Sequence, residues 1–380
     1  MYKVYLKQAI SMLKENKLLS TISILGTALE IAMIMVIVIV WQVRTVNYAP
    51  DNNRDRTMYV RSAISVTIDG PWRTVQKPSL HVIKEVFQPL TKAERVSAVS
   101  PIDQKLISLP DGTVEFRNDI LYTDGMFWKM FDFAFIDGQA YTEEEVQSGI
   151  QKAVICETTA KRLYGSTDVA GKPILIGYIP FTICAVVKDV SLLAEAAYGN
   201  VWVPYSTNEQ KLVTYSENLI GQFFCYILAD KSADFTEINQ EVDANVKRLN
   251  AGQVEQTLDL VGAPDTQLGL LARKDVFSPP NIKEWLFKYS VIILILLLIP
   301  AINLSGMTLS RMRKRMAEIG LRRAFGASRT YLISQVLYEN MLLSLIGGIA
   351  GLLFSYAAIV LLSDWLLENK LSPFSTGTTV

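Results

Sequence analysis

The stretch EIGLRRAFGAS, residues 318–328, decides the fold. It is basic, is punctuated by Gly320 and Gly326, and lies between two long apolar runs, 285–304 (WLFKYSVIILILLLIPAINL) and 332–362. A bilayer core is crossed by about 20 apolar residues in a helix. Each run is therefore long enough to span, and the basic stretch becomes the short loop between two spans. A third run, 18–43 (LLSTISILGTALEIAMIMVIVIVWQV), has the same character. It is too long for the apolar part of a cleaved signal peptide and is followed by no A-x-A site, so it reads as a retained anchor.

The 37 basic and 37 acidic residues cancel over the whole chain, so the information lies in their placement. Lys3, Lys7, Lys14 and Lys17 precede the first run, against Glu15 alone. Arg311, Arg313, Lys314, Arg315, Arg322, Arg323 and Arg329 stand between the second and third runs, against Glu318 alone. Short loops rich in Lys and Arg stay on the cytoplasmic side. Both segments are expected there, which puts the middle of the chain and its tail outside the cytoplasm.

The expected organisation follows. Residues 1–17 form a cytoplasmic amphipathic helix, with Val4, Leu6, Ile10 and Leu13 set among lysines on the membrane surface. Residues 18–44, 283–308 and 332–363 are spans, 45–282 an extracytoplasmic domain, 309–331 a cytoplasmic segment and 364–380 an extracytoplasmic tail. The fold class is thus an α-helical membrane domain of three spans, with a large α+β domain of two subdomains inserted between spans one and two. Glu30, Asn303 and Glu339 are polar groups inside the runs; such groups are costly in lipid and face protein. For Glu30 a helix-packing contact is favoured over a transport role. The small residues Gly347, Gly348 and Gly351 let membrane helices approach closely.

The middle domain alternates strand and helix patterns. Strands are expected over 58–68, 96–100, 153–156, 173–178, 181–187, 201–204 and 222–229, and helices over 79–90, capped by Ser79, and about 232–249. Chemistry is sparse. GSTDVAGKP, 165–173, imitates a phosphate loop, but five residues separate its glycines where a Walker A loop has four, and Pro173 replaces the magnesium-binding Ser or Thr. It reads as a turn. His81 is the only histidine, and no Ser-His-Asp centre or His-rich metal site is expected. Glu143, Glu144 and Glu145 read as a solvated helix start rather than a calcium site. Cys156, Cys184 and Cys225 have no CxxC spacing and read as buried small hydrophobes, with a disulfide left open in an oxidising compartment. No enzyme activity, cofactor, metal or nucleic-acid partner is expected of this chain.

Returning outward from the opening stretch, RMRKRMAEIGLRRAFGASRTYLISQVLYENMLLSLIGGIAGL, 311–352, resembles the hallmark region of the FtsX-like permease family, which includes the membrane subunits of MacB-type and LolC/LolE-type ABC transporters. The family pattern R-x-x-E-I-G-x-R-[KR]-A-x-G-A-[ST] is met by Glu318, Ile319, Gly320, Arg322, Arg323, Ala324, Gly326, Ala327 and Ser328, and its downstream Q-x-x-x-E by Gln335 and Glu339. Residues 1–26 are similar to the family's start, and 154–190 to the MacB-type extracytoplasmic domain. The resemblance implies paired permease subunits in a bacterial cytoplasmic membrane, each docking a separate cytoplasmic ABC ATPase through 309–331, with a periplasmic partner as a further candidate. ATP-driven motion would then work the outer domains without passing substrate through the subunit. Glu318, Ile319, Gly320, Arg322, Arg323, Gly326, Ala327 and Ser328 would be the coupling element, Arg322 and Arg323 supplying charge and the two glycines shaping its turn. Glu318 and Arg322 stand four apart, within ion-pair reach on one helix face. An FtsX-like regulator of a periplasmic hydrolase, or a peptide sensor, is the alternative. The pattern departs from the family in one respect: its fourth span, after an outer loop, has no counterpart in 364–380.

Overall fold

The computed structural model describes residues 17–314, 316–326 and 328–368. The expected surface helix over 1–17 and the end of the expected tail lie almost wholly outside the described residues. The chain divides into two compact units, with breaks at Arg44/Thr45 and Ile282/Lys283.

The first unit is helical. Helix α1 runs Lys17–Thr45, while the 33-residue helix Ile282–Lys314 and the 40-residue helix Arg329–Glu368 lie beyond the middle of the chain. A helix of 33 residues is about 50 Å long, well past a bilayer core, so its last turns carry Arg311 and Arg313 beyond the apolar stretch. Leu332–Ala357 is long and apolar enough to cross a membrane, and Ile24–Ile39 is a shorter apolar stretch.

Glycines set how these helices meet. A Cβ on Gly347 would stand 2.8 Å from Thr27 Cβ, and one on Gly351 would stand 2.7 Å from the Ala28 carbonyl oxygen and 2.8 Å from Ile31 Cβ. Thr27, Ala28 and Ala32 are buried. Contact positions rise together along the two helices, so α1 and Arg329–Glu368 run parallel. The helix Ile282–Lys314 runs against both: its Trp285 meets Trp41 near the end of α1 (centroids 5.1 Å apart), while Thr308 Oγ1 donates to Asn340 Oδ1 (2.9 Å) at its other end.

The second unit, Thr45–Ile282, is α+β. Its strands are β1 Thr57–Val60, β2 Ala63–Thr67, β3 Arg73–Pro78, β4 Ala93–Val99, β5 Asp103–Ser108, β6 Glu115–Thr123, β7 Phe135–Gly138, β8 Lys152–Cys156, β9 Pro173–Ile176, β10 Ile179–Val187, β11 Val201–Pro204, β12 Ile220–Gly221, β13 Phe224–Ala229 and β14 Gln256–Asp259. The helices used below are α2 Leu80–Val82, α3 Phe127–Met130, α4 Glu143–Gln147, α5 Glu157–Tyr164, α6 Phe235–Asn250 and α7 Gln267–Ala272. In the first unit, α8 is Ile282–Lys314, α9 Met316–Ala324 and α10 Arg329–Glu368.

Two sheets organise these strands. One is four-stranded, in the order β12-β3-β2-β14. In the larger, β6, β11, β8, β10, β9 and β5 pair in a closed ring, because β5 returns to β6. Ile107, Ile120, Ile155, Ile183 and Val203 fill this ring together with Ala160 and Leu163 of α5. Of the remaining strands, β7 pairs with β10 on the outside of the ring's order, and β1-β13-β4 are packed on both faces. Met58 and Val60 join α2 and α6 on one side, while Tyr59 joins Phe127, Met130 and Trp202 on the other. A strand buried on both faces needs no polar alternation, which is why MYV reads as continuous apolar sequence.

The strand expected over 58–68 is two strands, broken at Arg61-Ser62, with β1 in the large sheet and β2 in the small one. The helix expected over 79–90 is shorter. Ser79 caps it through Val82 N–H (3.1 Å), but α2 passes at once into a π-turn over Ile83–Phe87, which brings Ile83, Val86 and Phe87 into the core.

The ring and the β1-β13-β4 layer meet at a narrow seam. β4 and β6 share one residue pair, Val99↔Thr123, reinforced by Ser100 N–H to the Tyr122 carbonyl (2.8 Å). Past that pair a side chain replaces the ladder: Asp124 accepts from Ala98 N–H (2.6 Å) and Ser97 Oγ (2.8 Å), and from Phe127 N–H (2.8 Å) at the start of α3.

Candidate functional site: the helix and turn at 316–329

Helix α9 is nine residues long and closes with two turn bonds, Phe325 N–H to Leu321 O and Gly326 N–H to Arg323 O (both 3.1 Å). Gly326 has φ +90°, the left-handed conformation that an L side chain resists. The chain then re-enters helix at Arg329, with Leu332 N–H returning to Ser328 O (3.3 Å). The sequence builds a helix, a glycine-terminated stop and a second helix within 14 residues, from Met316 to Arg329.

Of the residues singled out, Glu318, Ile319, Gly320, Arg322 and Arg323 lie on α9, Gly326 forms its stop, and Ser328 precedes α10. Ile319 is half-buried; Arg323 and Ser328 are exposed. The side chains of Glu318 and Arg322, and with them their ion pair, lie outside the described residues, as does Ala327. Gly320 makes no turn: it is helical, and a Cβ there would meet nothing within 4 Å.

Charge was the signal read in the sequence, and it missed the apolar side of this element. Phe325 is 83% exposed, Met316 69% and Leu321 61%. Leu321 and Phe325 are four apart and share a face of the helix and its stop. That spacing was available in the sequence. The element thus exposes an apolar pair beside Arg323.

Among the intramembrane polar residues, Glu30 is half-buried on α1, and its Oε2 is buried without a hydrogen-bond partner among the described residues. Asn303 and Glu339 lie on α8 and α10, with side chains outside the description. The polar contact that is described, Thr308 to Asn340, was not foreseen.

The second unit offers structural uses for its chemical groups. In 165–173, Val169 and Ala170 N–H donate to the Asp137 carboxylate (3.0 and 2.9 Å), which occupies the amides a phosphate would need. Thr142 and Glu145 form a capping box, and Glu143 accepts from Gly125 N–H (2.8 Å). No group of three or more His, Cys, Asp or Glu suited to a metal occurs among the described residues. The three cysteines are free. Burial pushes the Cys156 thiol up to about 11 and Cys184 to about 12, and raises Cys225 well above its usual value.

Residues 20–245 match the profile of the MacB-like periplasmic core domain, and residues 290–379 that of the FtsX-like permease C-terminal domain. Macrolide export ATP-binding/permease protein MacB 1 of Yersinia pestis bv. Antiqua (strain Antiqua) is 26% identical over 371 residues, covering 93% of this chain and 52% of that protein. MacB of Burkholderia lata is 25% identical over 304 residues, covering 77% of this chain and 40% of its own length. The chain thus spans about half the length of the curated relatives it matches. Among solved structures, the periplasmic region of MacB from Actinobacillus actinomycetemcomitans aligns with 55% of this chain and 92% of its own, at 17% identity and TM-score 0.38.

Proposed function

The chain belongs to the MacB-like, FtsX-like permease family, and from that premise we propose that it is the membrane subunit of an ABC transporter whose ATPase is a separate cytoplasmic chain. It sits in a bacterial cytoplasmic membrane with 18–44, 283–308 and 332–363 as spans and 45–282 in the periplasm. A second permease subunit completes the assembly. Hydrolysis by the ATPase moves the helices, and the helices move the outer unit; export or extraction of substrate follows from that motion.

The observation that carries this reading is α9 with its stop: a short helix in which Arg323 flanks the exposed Leu321 and Phe325, held between α8 and α10. The glycine at φ +90° fixes the angle at which it leaves. A docking helix attached at both ends to long helices can transmit displacement, because a helix is stiff along its axis and the connections are short, one residue before α9 and four after it.

Affinity purification of the chain from its host in detergent, with mass spectrometry, tests the reading. An ABC ATPase is expected to follow the wild-type chain and to be lost when Arg322 and Arg323 are reversed to Glu. Recovery of a periplasmic hydrolase with no ATPase would replace the transporter reading by the regulatory one. Unchanged ATPase recovery with the reversed variant would remove the coupling role from α9.

A further inference from the structure

Two irregular segments join the outer unit to the helices, one after α1 and one before α8. Both are tied down by an arginine, buried in the first and nearly so in the second. In the first, Arg54 Nε donates to Asp51 Oδ2 (2.7 Å) and Nη1 to the Val46 carbonyl (3.2 Å), while Nη2 reaches the Leu193 carbonyl. In the second, Arg273 grips Asp265 with two bonds, Nε to Oδ2 (2.7 Å) and Nη2 to Oδ1 (2.8 Å). Its Nη1 reaches the Ser278 carbonyl (2.8 Å) and Nη2 the Val261 carbonyl (3.2 Å). Arg54 and Asp51 are 4% and 2% exposed, and Arg273 and Asp265 are 11% and 4% exposed.

Both segments then deliver to the same strand. The first runs through a helical turn, Arg54–Arg56, directly into β1. The second pairs with it: Tyr59 N–H bonds the Asp265 carbonyl and Asp265 N–H bonds the Tyr59 carbonyl, each at 2.8 Å. Strand β1 is in turn laddered to β13 over four residue pairs. The arrangement places α1 and α8 each a few residues from a guanidinium clamp, and the two clamps on one strand.

Burial makes these pairs poor candidates for simple stabilisation. Removing two charges from water costs about as much as their attraction returns, and an apolar pair of equal volume serves as well or better. A planar guanidinium differs from an apolar side chain in direction: its fork fixes the angle between the groups it joins. Irregular backbone without such ties bends under load.

We propose that the Arg54–Asp51 and Arg273–Asp265 pairs are coupling clamps, positioning residues that make the two connecting segments rigid so that displacement of α1 and α8 reaches β1. The inference rests on the function proposed above.

The test uses the full chain with its co-purified ATPase in lipid nanodiscs. Hydrogen exchange of Thr45–Ile282 is compared with and without ATP and vanadate. Two kinds of variant are made at each clamp: Arg54→Lys and Arg273→Lys, which keep charge and lose the fork, and the paired Asp51→Leu/Arg54→Met and Asp265→Leu/Arg273→Met, which leave no unpaired buried charge. The expected result is that the variants retain the ATPase and hydrolyse ATP, but lose the nucleotide-dependent difference in exchange at β1 and β13. General destabilisation would raise exchange in both nucleotide states and leave the difference standing. Variants with the full wild-type difference would overturn the clamps. A wild-type complex that hydrolyses ATP without any difference would instead overturn the motion on which they depend, as would a wild-type chain that brings no ATPase.

Discussion

Asp124 has its carboxyl at the seam between β4 and β6, with three donors on it and Glu143, Tyr141, Tyr205 and Cys225 facing it from neighbouring elements. Burial outweighs the donors and pushes this carboxyl up to about 7, with Glu143 adding to the rise. The sign follows from linkage: between the ordinary Asp value and 7 the folded state holds a proton that the unfolded state has released, so stability falls as pH rises through that window and is flat above it. A rise of that size is worth about 4 kcal/mol. Asp124→Asn is expected to remove this slope. It also costs about 1–3 kcal/mol at every pH, because an amide nitrogen cannot accept from Ala98 N–H. Thermal unfolding of both forms between pH 4 and 8 checks it; parallel pH profiles would remove Asp124 as the titrating group. Nothing local in YTDGMF marks this residue. Its partners Ser97 and Ala98 come from a strand 26 residues away, a tertiary pairing that no local pattern encodes. Phe325 is the opposite case: its spacing from Leu321 lay open in the sequence, and attention to charge passed over it.

At the level of elements, the close approach of α1 and α10 depends on two glycines of three. Gly351→Ala puts a methyl 2.7 Å from a backbone carbonyl oxygen, which cannot step aside, whereas Gly348→Ala meets only Ile31 Cδ1 at 3.6 Å, ordinary contact. Overpacking of this kind costs about 1–3 kcal/mol. Gly351→Ala is therefore expected to lower the aggregation temperature of the detergent-solubilised chain, and Gly348→Ala to leave it unchanged; equal effects at both positions would contradict the parallel packing. The small-residue patch, the strands β8 to β11 and β13, the Ser79 cap and the turn at 165–173 were all legible, because each is a local pattern of period, cap or glycine. The break at Arg61-Ser62 and the π-turn over Ile83–Phe87 were not. Each is imposed by which layer the next residues enter, and the apolar run MYVRSAISVTI looks the same whether it feeds one sheet or two.

At the scale of the whole molecule, charge predicts a sidedness and helix packing sets which helix ends lie together. The arginines and lysines predict a cytoplasmic 309–331 by the positive-inside rule. Helix contacts, which contain no charge information, make α1 parallel to α10 and α8 antiparallel to both. The ends of α1 and α8 that lead to Thr45–Ile282 therefore lie together, marked by Trp41, Trp285 and Tyr289, and opposite the end that carries α9. Aromatic rings of this kind gather at a membrane–water interface. A sidedness experiment joins the two routes. Val254 is 79% exposed in the outer unit, and Ser328 is exposed beside α9. The native thiols give little background, since burial keeps Cys156, Cys184 and Cys225 protonated at neutral pH. In spheroplasts, a membrane-impermeant maleimide is expected to label Val254→Cys directly and Ser328→Cys only after permeabilisation. Labelling of both without permeabilisation would place α9 outside, where no ATPase could reach it. Labelling of Ser328→Cys alone would invert the molecule and void the charge rule for this chain.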